Sequence, residues 1–236
     1  MPDFKKKTTP FAVVTALLLP LSAPAHQPRF ITQDRVVEIK NPEVSQAFYG
    51  IMNGVPAHFM IVSGEPFDLY VSLLVPDVKG VAKDISAEIT HTRTDGGTAV
   101  FVMDGSKSDW TPFHEKYAND KYFQGPEFKK IAAPAGTYDI KIHRSENVGR
   151  YVFVVGQAES FPPGEALKAV WLIPQLKLKF FDKPFYLIFW SKIGFYLFSV
   201  AVVSITLIVG FVFAVKKIYF KKRKRSRQPE KGRTVA

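Results

Sequence analysis

The sequence predicts an all-β fold: an antiparallel, jelly-roll-like β-sandwich followed by a single C-terminal transmembrane helix. From residue 30 to residue 156 the chain consists of short β-type runs separated by turn residues, and no window shows sustained helical periodicity. Near the C-terminus, residues 193–215 contain no charged side chain. The 236 residues leave room for one ordinary domain and for targeting and membrane-anchoring segments, which excludes a large multidomain enzyme.

The N-terminal 25 residues have the pattern of a secretory signal peptide. Lys5, Lys6 and Lys7 precede an apolar run over residues 11–21, and Ala23-Pro24-Ala25 is a small-x-small motif of the kind that signal peptidase cleaves after. The apolar run is too short to span a bilayer. Cleavage after Ala25 would make His26 the mature N-terminus.

Residues 26–160 are predicted to form the sandwich. In Thr137-Tyr138-Asp139-Ile140-Lys141-Ile142-His143, apolar and polar side chains alternate as a half-buried antiparallel strand requires. Asn53-Gly54 and Asp95-Gly96-Gly97 supply turn residues that tolerate positive φ. Seven strands are expected, at residues 35–40, 58–63, 67–75, 85–92, 98–103, 137–144 and 150–155.

Residues 106–130 are predicted to form a long loop. They contain six aromatic side chains among charged residues and two prolines, so we expect the loop to be packed by its own aromatics. Long loops often carry function, which makes this segment the favoured functional surface of the domain.

Residues 161–192 are interpreted as a juxtamembrane segment. Pro162 and Pro163 end the sheet, and residues 165–173 predict a short helix before Pro174. Apolar and basic residues then alternate in Leu176-Lys177-Leu178-Lys179-Phe180-Phe181. This alternation predicts a segment that lies along the outer membrane interface.

The transmembrane helix is assigned to residues 193–215, which would extend about 35 Å at roughly 1.5 Å per residue. Aromatic residues gather at both ends, as at the two membrane interfaces. The tail, residues 216–236, has eight basic residues in its first twelve, so the positive-inside bias places it in the cytoplasm. The sandwich is then extracytoplasmic, and the protein is a single-pass protein of the cell membrane. The tail is read as a stop-transfer signal, with attraction to anionic lipid as the alternative.

The location of the charge argues against nucleic-acid binding. Of the net charge of +11, the tail contributes ten basic and one acidic residue and residues 1–25 contribute three and one, which leaves nineteen of each sign between them. Electrostatic capture of nucleic acid needs a basic face on the folded body. The chain has no cysteine, which excludes disulfides and thiolate chemistry.

The last strand pair carries a family resemblance. Gly136-Thr137-Tyr138 opens one strand and Gly149-Arg150-Tyr151 opens the next, and this pair resembles the end of bacterial prepeptidase C-terminal-type (PPC-like) sandwiches. The resemblance covers about twenty residues. It implies an accessory, non-catalytic sandwich of the kind that stands beside an enzyme or anchor domain.

The common motifs of hydrolases, zinc proteases and nucleotide-binding enzymes do not occur in the sequence. A free α-amine and imidazole at His26 would, however, chelate copper(II) if one more imidazole joined them, which resembles the histidine brace of exported copper-binding sandwiches. The second ligand is left open among His58, His91, His114 and His143. Calcium binding at Asp104, Ser106 and Asp109, or at Asn119 and Asp120, is a further possibility.

These observations favour a non-catalytic function. We expect a membrane-anchored, extracytoplasmic binding or scaffold protein that contacts membrane lipid and, as a possible role, other subunits of a membrane complex. The first alternative is an exported copper-binding protein that uses His26. The second is a membrane-anchored hydrolase with its site at the 106–130 loop.

Overall fold

The computed structural model describes residues 26–31, 35–160 and 162–225. The predicted signal peptide and the last residues of the basic tail lie outside this part of the chain. The described residues form two compact units, one ending at Gly194 and one beginning at Phe195.

The first unit is a sandwich of two β-sheets, which confirms the predicted fold class. The six-stranded sheet has the strand order β1-β3-β11-β5-β9-β8, and only its β1–β3 pair is parallel. Its strands are β1 (Gln27–Phe30), β3 (Gln46–Asn53), β5 (Phe67–Pro76), β8 (Thr111–Glu115), β9 (Asp120–Ala133) and β11 (Val148–Val155).

The five-stranded sheet has the order β2-β4-β10-β6-β7, and only its short β2–β4 pair is parallel. Its central strand β10 alternates between buried and more exposed residues, because one face meets the core and the other meets solvent. The strands are β2 (Val37–Glu38), β4 (Ala57–Ser63), β6 (Ser86–Arg93), β7 (Thr98–Met103) and β10 (Gly136–His143).

The core fills the space between the two sheets. Phe59 lies at its centre, with its ring centroid 4.7 Å from that of Phe153 and 5.3 Å from that of Phe48. Aliphatic side chains from both sheets surround these rings, and all are shielded from solvent. Aromatic pairs at such distances add about 0.5–1.5 kcal/mol each beyond the apolar area that they bury.

The six-stranded sheet is covered on its second face as well. Helix α1 (Pro163–Gln175) continues into a π-helical turn (Leu176–Phe180), whose residues Leu176 and Phe180 pack with Val152 and Val154 of β11. Burial on both faces explains why residues 151–155 form an uninterrupted apolar run.

The described part of the chain contains eleven strands, whereas seven were expected. All seven expected strands occur, although the first is reduced to the two residues of β2. The missed strands are β1, β3, β8 and β9. β9 contains Gly125 and Pro126, and the β5–β9 ladder has two register shifts, so its side chains do not alternate regularly.

The prediction of one long loop over residues 106–130 was wrong. Most of this stretch forms the antiparallel β8–β9 hairpin, in which Thr111 faces Gln124 and Glu115 faces Asp120. Only residues 106–110 and 116–119 connect strands. Some of the aromatic side chains that suggested a self-packed loop instead pack on the sandwich, including Trp110, Phe123 and Phe128.

The expectation for residues 176–181 also needs correction. Residues 176–180 are helical, and Leu176, Lys177, Phe180 and Phe181 are buried, so these four side chains do not face a membrane interface. Only Leu178 and Lys179 of this segment are exposed. The helix before them passes through Pro174 instead of stopping there, and the wider π-helical turn follows directly.

After a 3₁₀ turn (Phe185–Trp190), helix α2 runs over Lys192–Arg225. Its section Lys192–Phe220 is long and apolar enough to cross a membrane, and none of its most apolar window is buried within the protein. A helix that is apolar all round without a protein cover matches the composition of a membrane span.

The backbone at Gly105 lies close to the backbone of Ile85, so a larger residue at this position is expected to destabilise the fold. A Cβ atom at this position would come within 1.8 Å of the Ile85 carbonyl oxygen, a backbone atom that cannot rotate away. We expect Gly105→Ala to lower the free energy of unfolding by about 1–3 kcal/mol. Gly64→Ala is the control, because a Cβ there meets no atom within 4 Å. Thermal unfolding followed by circular dichroism in detergent tests this, and equal midpoints for the two variants would contradict the packing.

Candidate functional site

His26 immediately precedes β1 and lines a cavity of about 510 Å³. Its Nδ1 atom lies within hydrogen-bonding distance of the Ser45 hydroxyl. Although the residue as a whole is exposed, the atoms packed around its ring desolvate the imidazole and lower the pKa of His26. The neutral ring that results is the form that ligates metals.

His114 and Glu115 on β8 line the same cavity. The Nε2 atom of His114 lies 2.7 Å from Oδ1 of Asn119. The carboxylate of Glu115 accepts hydrogen bonds from the backbone amides of Tyr117 (2.6 Å) and Ala118 (2.7 Å), and burial raises its pKa. Glu115 therefore stabilises the β8–β9 turn. The remaining lining residues include Tyr70, Phe113, Glu159 and Lys192.

The other three histidines lie elsewhere on the sandwich. His91 is buried and stacks on Tyr138 with ring centroids 4.1 Å apart. His58 is on β4, with Nδ1 3.7 Å from a carboxylate oxygen of Asp139, and His143 ends β10. None of the three lines the cavity at His26, so His114 is the one that the fold places beside it.

Within residues 26–31, 35–160 and 162–225, no three His, Asp or Glu side chains are grouped so that they could hold a metal ion. At both predicted calcium sites, an aspartate carboxylate binds other groups of the protein. Asp104 accepts hydrogen bonds from the amide (3.0 Å) and hydroxyl (2.6 Å) of Ser106, and these bonds together with Lys107 lower its pKa to about 2. Asp120 is buried and paired with a lysine.

The partner of Asp120 is Lys177, from the π-helical turn. Its ammonium nitrogen lies 2.6 Å from a carboxylate oxygen of Asp120 and 2.6 Å from the carbonyl oxygen of Ala118. Both side chains are almost completely buried, with exposed fractions of 2% and 4%. A buried charge is tolerated only when it is paired and hydrogen-bonded, and this pair meets both conditions.

Two further contacts surround the pair. Lys183 brings a second ammonium group to 3.5 Å from Asp120. Nearby, the hydroxyls of Tyr49 and Tyr122 lie 3.2 Å apart, and burial raises the pKa of both phenols. Sequence reasoning missed this network. The only local signal was a lysine inside an apolar run, which fits an interfacial segment equally well.

A larger open cavity of about 880 Å³ lies between β1 and helix α1. Arg29 crosses it and binds Glu165 at 2.5 Å, and Lys168 binds the same carboxylate at 2.9 Å. Burial raises the pKa of Glu165, but the hydrogen bonds from Lys168 and Arg29 outweigh it, so the net shift is downward. Arg29, Lys168 and Glu165 are therefore paired with one another within the protein.

Comparisons with known proteins give fold-level similarity only. No family model matches the chain, and no curated protein matches it. Among solved structures, it is similar to the pre-peptidase C-terminal domain of a collagenase from Bacillus anthracis, with 9% identity and a TM-score of 0.29 over 56% of this chain and 97% of that one. It is also similar to a β-glucosidase from Paenibacillus barengoltzii, with 10% identity and a TM-score of 0.21 over 56% of this chain and 13% of that one. These values are too low to support any conclusion about family or activity.

The buried ion pair generates the second prediction. Lys177→Met leaves the Asp120 carboxylate without its main partner, and breaking such a pair costs about 3–5 kcal/mol. Because Lys183 remains nearby, we expect the lower end of that range, which corresponds to an apparent Tm about 6–12 °C lower.

Lys179→Met is the matched control, since Lys179 is two residues away on the same turn and exposed. The double variant Lys177→Met/Asp120→Asn should regain part of the loss, because it removes both charges. Thermal unfolding in detergent provides the measurement, and equal effects of the Lys177 and Lys179 variants would show that the pair does not stabilise the fold.

Proposed function

We propose that this chain is a single-pass protein of the cell membrane whose β-sandwich lies outside the cytoplasm and acts as a non-catalytic binding or scaffold module. The observation that carries the proposal is the helix Lys192–Phe220, which is apolar, long enough to span a bilayer and not covered by protein. Water would leave this surface exposed at a high cost in free energy, whereas lipid would bury it.

The charge distribution supports the orientation. The ten basic residues of the tail follow the apolar helix directly, and basic residues are retained on the cytoplasmic side. The sandwich precedes the helix and therefore belongs on the opposite side. The pattern of residues 1–25, read as an export signal, supports the same topology.

The state of the ionisable groups supports a non-catalytic role. Around the β8–β9 hairpin, Glu115 caps backbone amides, Asp120 is neutralised by Lys177, and His114 contacts Asn119. A general acid or base must reach a substrate atom, and these groups already face protein partners. The sandwich is then a module that presents a surface, and a role as a subunit of a membrane complex fits that description.

The absence of cysteine from the chain permits a direct test of topology. We expect Thr94→Cys, at the exposed turn between β6 and β7, to react with a membrane-impermeant maleimide on intact cells. Thr234→Cys in the tail should react only after the membrane is permeabilised. The reverse pattern would overturn the orientation, and recovery of the full chain in the alkaline carbonate supernatant would overturn membrane insertion.

Copper(II) binding is a second candidate, favoured by one observation: His26 and His114 line the same cavity. Two imidazoles and the α-amine released by cleavage before His26 would form a three-nitrogen set that suits copper(II). The His26 ring would exchange its Ser45 contact for the metal, and His114 would bind through either ring nitrogen.

Titration of the mature protein with copper(II), followed by electron paramagnetic resonance, tests this candidate. We expect one equivalent of a nitrogen-rich signal that weakens in His114→Ala and is lost in His26→Ala. His58→Ala is the control, because His58 lies on β4 away from the cavity. A signal unaffected by His26→Ala would exclude chelation at the mature N-terminus.

A further inference from the structure

We propose that helix α1 and the 3₁₀ turn form a docking surface for the lipid headgroup region of the membrane. The surface consists of Leu167, Trp171 and Leu178 on the helical segment and of Phe185, Tyr186, Phe189 and Trp190 on the 3₁₀ turn. The inference rests on the proposed membrane anchoring and adds the part of the folded domain that touches lipid.

Helix α1 and the turn after it present two apolar stripes. One stripe is buried on the sandwich and contains Ala169, Ile173, Leu176 and Phe180. The other contains Leu167, Trp171 and Leu178, with exposed fractions of 70%, 78% and 52%. A surface helix in water normally pairs one apolar stripe with a polar one, so the second stripe indicates an environment other than water.

The 3₁₀ turn continues the same exposure pattern. Only Ile188 of its six residues is buried. Four of the others are aromatic and more than half exposed, at Phe185, Tyr186, Phe189 and Trp190. Large aromatic side chains with this exposure are costly in water but common in the interfacial belts of membrane proteins.

Chain continuity selects lipid as the occupant over a protein partner. Trp190 lies two residues before the first residue of helix α2, so the 3₁₀ turn must lie near the bilayer surface wherever that helix spans it. Lys179 precedes the aromatic residues and is exposed, and lysine side chains extend to the headgroups while their carbon chains stay in the apolar zone.

Contacts inside the first unit join α1 to the 3₁₀ turn. Ala169 and Ile173 of α1 form one buried cluster with Ile188 of the turn. The Lys177–Asp120 pair fixes the intervening segment to β9. Lipid contact at Trp171 would therefore be made by the folded domain, not by a loose linker.

The three tryptophans of the chain allow the test to be made one ring at a time. The full-length protein is placed in nanodiscs of phosphatidylcholine brominated near the headgroup end of the acyl chains, and single-tryptophan variants are prepared by replacing the other two with phenylalanine. Interfacial side chains lie about 5–10 Å below the headgroups, within reach of the bromines. Trp190 reports on anchoring, Trp171 on the docking surface, and Trp110 on background quenching, because it is packed against the sandwich core.

We expect the emission of both Trp171 and Trp190 to fall by at least about half relative to unbrominated lipid, with Trp110 unchanged, because only the first two rings reach the interfacial zone. Quenching of Trp190 without Trp171 would overturn the docking surface while leaving the membrane anchor intact. Quenching of neither would overturn the proposed anchoring itself.

A second measurement avoids dependence on the Trp110→Phe background, where a lost hydrogen bond to the Gly105 carbonyl oxygen could disturb folding. Trp171 is exposed, so Trp171→Phe alone should fold normally. Its quenched fraction in brominated nanodiscs should be smaller than that of the unmodified protein. An equal or larger fraction would contradict the inference.

Discussion

The layer formed by helix α1 and the π-helical turn is held to the sandwich by a charge pair with almost no access to water. Lys177 neutralises Asp120 at 2.6 Å and also donates to the Ala118 carbonyl oxygen. This interaction adds little net stability compared with an apolar pair of the same shape, but removing either partner leaves an uncompensated buried charge. We therefore expect the pair to favour the observed register of the 176–180 turn against the β8–β9 hairpin.

The position of that turn determines how the two faces of the six-stranded sheet are buried. Because α1 and the π-helical turn cover its outer face, the central strands β5 and β11 are buried on both sides, whereas the five-stranded sheet has one face in solvent. The domain thus has an additional layer on one side of the sandwich. That layer carries the exposed apolar stripe and leads directly into the apolar helix.

Local patterns were sufficient to predict much of the fold. The alternation in residues 137–143 depends on neighbours in the chain, and strand β10 is present there. The turn residues Asn53-Gly54 were recognised as well, but β3, the strand that precedes them, was missed. β9 was missed because Gly125, Pro126 and the register shifts disrupt its period. The charge network was not predictable, since Lys177 and Asp120 are 57 residues apart and only the tertiary fold joins them. For the same reason, the sequence did not predict which of four histidines would share a cavity with His26, and the fold places His114 there.

The segment Leu176-Lys177-Leu178-Lys179 shows why the order of apolar and basic residues alone could not predict which side chains of this segment are buried. An extended chain would put both lysines on one face and both leucines on the other. In the helical turn, two residues are separated by about half a revolution, so Leu176 and Lys177 are buried on the sheet while Leu178 and Lys179 point away from it. The phase of this turn is inherited from Ala169 and Ile173, which are anchored about two turns and one turn earlier, respectively. Chemically equivalent side chains therefore have opposite environments, and the rotation of helix α1 decides which leucine packs on the sheet and which remains exposed.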